Sequence, residues 1–320
     1  MNLTGIHHVT AVTAKVGDNL EFYTDVLGLR LVKKSVNQDD VSAYHLFYAD
    51  KLGSPGTDMT FFDWPRIGPD RRGTDSIVGT SFRVANRDAL DFWSERFDSL
   101  SVKRAQITSF SGREILPFED PEGQRLYLVS DQDAPFEGEI WPHPEIPQAY
   151  ALKGFFSVLL SVGEISRLEG IFGRLLGFTE IGRADWIDGS TGAALYSTTP
   201  AGGPGTEIWL LEQPGLPRAR LGAGGTHHVA FRVEDAPTQE RWQEQLDQGG
   251  LSVTSQIDRF WFTSIYFRVS PGILFEIATD GPGFAIDESP EKLGEKLVLP
   301  PFLEDRREEI EAGLVPLQVG

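Results

Sequence analysis

The chain carries six histidines, and four of them stand in two adjacent pairs, His7-His8 and His227-His228. Random placement of six histidines would give on the order of a tenth of one such pair, so two pairs are a signal of chemistry. Each pair opens a segment rich in β-branched residues, IHHVTAVT and THHVAFRV, which is the composition of a strand. The chain has no cysteine. Disulfides, thiolate nucleophiles and Cys-ligated zinc or iron–sulfur centres are therefore excluded, and any metal must be held by imidazole and carboxylate. Glu276 is the one acid in the apolar run ILFEIA. Burying a carboxylate alone is costly, so Glu276 must meet either a metal or an arginine such as Arg232 or Arg268. His45, inside the strand-like VSAYHLFY, and His143, in a Pro-rich linker, read as structural.

These residues must be positioned by a chain of 320 residues that is 40% hydrophobic and 24% charged, an ordinary globular composition long enough for two domains. Asp and Glu number 47 against 29 Lys and Arg, giving a net charge of −18. Such a surface repels polyanions, so neither nucleic acid nor a membrane is expected as a partner. The start MNLTGIHHVT lacks the basic residues and apolar stretch of a signal peptide, and no apolar run reaches the roughly 18 residues of a membrane span. A cytoplasmic protein is expected, and a homo-oligomer is plausible on general frequency.

The two halves match at a constant offset of 149 residues. Gly5 aligns with Gly154, Leu27-Gly28-Leu29 with Leu176-Gly177-Phe178, and GTDMTFFDWP with GTEIWLLEQP. Farther on, Phe82-Arg83-Val84 aligns with Phe231-Arg232-Val233, and Gly123 with Gly272. Each half divides again into two units that read as strand, helix and three strands. In the first unit Asp18 or Asn19 is the expected N-cap of a helix over LEFYTDVL, and Gly28 ends it. The expected organisation is an N-terminal pair of modules over 1–142, a C-terminal pair over 143–282, and an extension over 283–320. That extension carries a short helix at 304–314 and is placed over the mouth of the site. GAGG at 222–225 lacks the strand-and-helix context of a nucleotide loop and reads as a bend before His227.

A βαβββ unit repeated four times, with a Leu-Gly-Leu turn after an aromatic-bearing helix, resembles the vicinal oxygen chelate superfamily. GIHHVT, GTHHVAF and SPGILFEIAT resemble most closely its hydroquinone ring-cleaving dioxygenases, of the chlorohydroquinone 1,2-dioxygenase type. The resemblance implies an α+β fold in which paired βαβββ modules curl into two open, barrel-like cups around a metal, with a short helical tail.

With cups in view, the 149-residue offset becomes informative: His8 corresponds to Ser157, His228 to Gly79 and Glu276 to Tyr127. A cup closed within the first half would hold only His8 and one closed within the second only His228 and Glu276, whereas pairing the first module with the fourth gathers all three. Strand parity agrees, because His8 and Thr10 share a face, as do Leu274 and Glu276. Two imidazoles and one carboxylate with open positions suit Fe(II), and the same set could hold Mn(II). The resemblance further implies an acid–base group of His7, Thr10, His227, Arg259 and Tyr266. His can take a phenolic proton, Thr and Tyr can orient oxygens, and Arg can stabilise developing negative charge. By parity His7 and His227 should point away from the ligands unless a bulge turns them inward, and Arg259 and Tyr266 need a bulge near Thr263-Ser264. RFWF at 259–262 supplies aromatic bulk for a flat ring. The expected activity is Fe(II)-dependent opening of a hydroquinone-type ring by O2. The alternatives are a catechol extradiol dioxygenase, a non-redox glyoxalase-type lyase or transferase, and a metal-free binding protein of the same fold.

Overall fold

The computed structural model describes residues 2–317, so the first residue of the expected N-terminal pair and the last three of the expected extension lie outside the described residues. The first module contributes β1 (Ile6–Thr13), β2 (Arg30–Asn37), β3 (Asp40–Ala49) and β4 (Asp58–Asp63). The second contributes β5 (Ser76–Val84), β6 (Thr108–Phe110), β7 (Arg113–Glu119) and β8 (Arg125–Ser130). The third contributes β9 (Phe155–Val162), β10 (Thr179–Asp185), β11 (Gly192–Ser197) and β12 (Glu207–Glu212). The fourth contributes β13 (Thr226–Val233), β14 (Ile257–Asp258), β15 (Phe262–Ser270) and β16 (Ile273–Pro282). After the first strand of each module comes a helix: α1 (Val16–Glu21), α2 (Arg87–Ser99), α3 (Ser166–Glu169) and α4 (Ala236–Gln248). A last helix, α5 (Arg307–Gly313), lies in the extension.

Two eight-stranded sheets result, each built from one module of either half. One runs β14-β15-β16-β13-β1-β4-β3-β2 and the other β10-β11-β12-β9-β5-β8-β7-β6. The first module thus pairs with the fourth through antiparallel β1 and β13, and the second with the third through β5 and β9. Together these elements form the α+β, two-cup architecture. The duplication is visible in the bounds themselves: shifting β1, β4 and α2 by 149 residues lands on β9, β12 and α4.

Apolar residues at helical spacing hold the helices to the outer face of each sheet. On α2 these are Ala89, Leu90, Trp93 and Phe97, with Asn86 capping the Ala89 amide. On α4 they are Trp242 and Leu246 beside a buried Gln239, with Asp235 capping Thr238 and a proline in the first turn. The first helix departs from expectation. It starts at Val16, with Lys15 at the N-cap, and winds into a π-turn over Phe22–Val26 before Gly28, at φ 70°, ends it. Asn19 does not cap it, because its Oδ1 accepts a hydrogen bond of 2.9 Å from the Tyr48 hydroxyl inside the core.

The extension also lies elsewhere than expected. It runs along the outer edge of β2, where Leu297 bridges Lys34, and packs Leu299, Leu303 and Ile310 against Val36. The buried Lys33 reaches into it and pairs with Asp287 at 2.7 Å and Glu288 at 2.5 Å. It therefore covers an open sheet edge rather than the cup mouth, an arrangement that blocks strand pairing with other chains.

The second sheet's cup is filled. Phe110, Tyr127, Phe156, Trp186 and Trp209 pack together in it. At Gly79, the counterpart of His228, an added Cβ would stand 2.7 Å from the Tyr127 ring. Among the described residues, the first sheet's cup instead keeps a cavity, lined by His8 and His228 among others.

Candidate metal centre

Adjacent residues on a strand point to opposite faces, so a pair of neighbouring histidines turned to one site needs a local break in register. Two breaks occur. Between β1 and β13, Ile6 faces Phe231 while His8 faces Ala230, leaving His7 as the extra residue of a bulge. Thr10 faces His228 while Ala11 faces Thr226, leaving His227 as the extra residue of a second bulge. The filled cup keeps the same two irregularities at Phe156 and Val78, the 149-residue counterparts.

His8 from β1, His228 from β13 and Glu276 from β16 meet in the open cup, all buried. His8 Nε2 and His228 Nε2 are 3.3 Å apart, His8 Nε2 and Glu276 Oε2 are 3.3 Å apart, and His228 Nε2 and Glu276 Oε2 are 2.9 Å apart. Ligand atoms bonded at about 2.1 Å to one ion stand roughly 3.0 Å apart at right angles and roughly 3.4 Å apart in a tetrahedron. The three atoms thus have the spacing of ligands around one ion. Glu276 Oε2 is enclosed yet makes no well-directed hydrogen bond, an orphan that a cation would satisfy. Neither Arg232 nor Arg268 takes that place: Arg232 pairs with Asp280 at 2.8 Å, and Arg268 is exposed.

The neighbouring histidines determine which nitrogen faces the cluster. His7 Nδ1 lies 2.9 Å from His8 Nδ1, and His7 Nε2 lies 3.1 Å from the Thr279 carbonyl. A carbonyl only accepts, so His7 donates from Nε2 and its Nδ1 accepts from His8 Nδ1–H. The His8 Nε2 position is thereby directed at the cluster. His227 repeats the Nδ1 contact, lying 2.7 Å from His228 Nδ1. Burial, reinforced by His8 and His228 respectively, pushes His7 and His227 down to about 3, so both are neutral acceptors at ordinary pH. For His8, burial alone would lower the pKa, but the Glu276 carboxylate outweighs it and raises it. Burial lowers that of His228, whereas the two imidazoles hold Glu276 well below the usual carboxylate range against its burial. Ser264 Oγ donates to Glu276 Oε1 at 2.5 Å, fixing the carboxylate from the far side.

The β1–β13 register contains a pseudo-two-fold axis that exchanges His8 with His228. Thr10 pairs with Thr60 on β4 as Ala230 pairs with Glu276 on β16, so Thr60 is the counterpart of Glu276. His45 pairs with Phe62 as Ser264 pairs with Ala278, so His45 is the counterpart of Ser264. The contacts obey the same relation: His45 Nε2 lies 2.9 Å from Thr60 Oγ1, which lies 2.8 Å from Thr10 Oγ1. Where a fourth protein ligand would stand, the chain presents hydroxyls and a neutral imidazole, since burial holds His45 well below its ordinary pKa.

The cavity above the cluster spans about 390 Å³ including its open mouth. Its walls are Phe47, Phe62, Trp261 and Phe262, and its polar lining includes His45, Arg259 and Tyr266. A register break between Phe262 and Ser264, with Phe260 at φ 73°, carries Arg259 back over the Tyr266 ring, 5.5 Å from its centre. Burial and the Glu276 carboxylate raise the Tyr266 pKa and hold its hydroxyl protonated. His7 and Thr10 lie behind this wall rather than in it, and His227 packs edge-on against Phe62 and Trp64. His45, read from sequence as structural, lines the cavity, and Thr60, Ser264 and Asp39 are further site residues that sequence reasoning did not single out.

Residues 5–128 and 154–286 both match the Glyoxalase/Bleomycin resistance protein/Dioxygenase superfamily. The chain is 45% identical over 318 residues to a Bacillus subtilis protein with the provisional name ring-cleaving dioxygenase MhqA, covering 99% of this chain and 100% of that one. It is 31% identical over 315 residues to the chlorohydroquinone/hydroquinone 1,2-dioxygenase of Sphingobium indicum, covering 96% and 94%. A crystal structure of a provisionally named dioxygenase from Bacillus subtilis superposes with a TM-score of 0.91 at 37% identity, covering 100% of this chain and 99% of that one. Glyoxalase I from Zea mays shares the fold at a TM-score of 0.61 and 17% identity, covering 86% and 92%. With four modules paired across its halves and both halves matched, the chain belongs to the glyoxalase, bleomycin resistance protein and dioxygenase superfamily.

Proposed function

We propose that the chain is an Fe(II)-dependent dioxygenase that opens a hydroquinone-type ring beside a hydroxylated carbon, with His8, His228 and Glu276 as metal ligands. The observation that carries this reading is the converging triad with hydroxyls, not a fourth carboxylate, at the position related to Glu276. Such a set leaves positions open for two exogenous partners, whereas Lewis-acid chemistry needs only one. Bound there, iron(II) would supply the electron transfer that lets O2 react with an electron-rich ring. Full-length similarity to the chlorohydroquinone/hydroquinone 1,2-dioxygenase supports both the reaction class and an aromatic diol as substrate.

The chain's own residues do the rest. Phe47, Phe62, Trp261 and Phe262 hold a flat ring and exclude water. His7 and His227 accept from the Nδ1–H groups of the ligands and fix their orientation. Tyr266, held protonated, donates a hydrogen bond to a substrate oxygen, and Arg259 stabilises negative charge that develops there. His45, anchored through Nε2 to Thr60, is the neutral imidazole in the lining that accepts a hydrogen bond from a phenolic hydroxyl. The test is oxygen uptake by anaerobically Fe(II)-loaded protein with hydroquinone and catechol side by side. The proposal expects preferential uptake with hydroquinone; preference for catechol, or uptake with neither, overturns it.

A further inference from the structure

Turns from the two ends of the open sheet meet across the cavity mouth. The β2–β3 turn reaches from one edge and the β14–β15 turn from the other. Asp39 Oδ1 and Oδ2 accept from Arg259 Nη1 and Nη2 at 3.2 and 2.9 Å, and Gln38 Nε2 donates to the Arg259 carbonyl at 2.9 Å. Arg259 is the one cation in the cavity lining, and Asp39 occupies it in the paired, parallel manner that a bound carboxylate would use. Behind the wall, Lys33 stands 5.3 Å from the Trp261 ring and is held by Asp287 and Glu288. His45 is neutral.

Resting on the function proposed above, we infer that the Asp39–Arg259 pair determines the substrate class: the cavity takes an uncharged aromatic diol and turns away a ring bearing a carboxylate. Charge counting supports this once the metal's own charge is included. A divalent ion and Arg259 bring three positive charges, and Glu276 and Asp39 bring two negative ones. One phenolate completes the balance. A ring carboxylate would find Arg259 engaged and would face Asp39, which is 72% exposed at the mouth of a molecule with net charge −18.

The probes are hydroquinone and 2,5-dihydroxybenzoate, the same diol with one carboxylate. Anaerobic calorimetry on the metal-loaded protein gives dissociation constants, and kcat/KM is measured alongside. The wild type should bind hydroquinone more tightly than the carboxylated ring. Asp39→Asn should shift the ratio toward 2,5-dihydroxybenzoate by about tenfold, the worth of one charge-assisted pairing. Asp39→Asn combined with Arg259→Met should lose that gain. Equal affinity of the wild type for both rings, an unchanged ratio in Asp39→Asn, or a gain that persists without Arg259 overturns the inference while hydroquinone turnover leaves the function standing. Failure of the metal-loaded wild type to bind hydroquinone overturns both.

Discussion

Replacing His7 separates two roles that its chemistry allows. In the structure His7 lies behind His8, bonded to His8 Nδ1 at 2.9 Å and to the Thr279 carbonyl at 3.1 Å, and lines no part of the cavity. His7→Phe keeps the ring volume and removes both bonds. It leaves His8 Nδ1–H buried without an acceptor, which costs about 1–3 kcal/mol. At roughly 1.4 kcal/mol per factor of ten, metal affinity should fall by about 10- to 100-fold, the usual range for losing a partner of a ligand histidine. A chelator competition with Fe(II) or Mn(II) under anaerobic conditions reads this directly, and thermal melts with and without metal should show a smaller metal-dependent rise in Tm. At saturating metal, kcat should recover most of its wild-type value. Affinity within twofold of wild type together with a collapse in kcat would show that His7 acts on substrate rather than on His8.

Two further outcomes follow from the charges. Because Glu276 raises the pKa of His8 over the lowering by burial, metal binding should expel a proton from His8 below that raised pKa. Apparent metal affinity should then climb about tenfold per pH unit in that range and level off above it, and calorimetry in buffers of different ionisation enthalpy should record about one proton released. Binding heats independent of buffer would contradict this. Asp120, in the turn between β7 and β8, is pushed up to about 6 from 3.8, chiefly by burial. The unfolded chain ionises this group first, so its contribution is fully present below about pH 4 and is lost as pH rises to about 6. Asp120→Asn should remove about 2 kcal/mol of the stability lost between pH 4.5 and 7, as measured by urea unfolding. An unchanged pH slope would place the carboxyl outside the buried environment.

Much of this architecture is legible in the chain because it is duplicated. The 149-residue offset assigns counterparts, and the absence of ligands at Ser157, Gly79 and Tyr127 already favours pairing the first module with the fourth. The adjacent histidines carry information of a different kind, since a bulge is what brings both members of a pair to one cluster. What could not be read was set by registers between distant strands. Thr60 and His45 become site residues only through the β1–β4 and β3–β4 pairings, and VSAYHLFY reads simply as a strand. Asp39 meets Arg259 only because the sheet curls until turns from its two ends touch, a property of the sheet that no local pattern encodes. The first helix starts at Val16, before Asn19, whose side chain is a good cap by type but is bonded by Tyr48 29 residues away.

The most direct test of the central claim is an anomalous-difference map from crystals grown anaerobically with Fe(II). One strong peak per chain is expected, about 2.1 Å from His8 Nε2, His228 Nε2 and Glu276 Oε2, with the second cup empty of metal. No peak at the triad, or a peak held by other side chains, would contradict it.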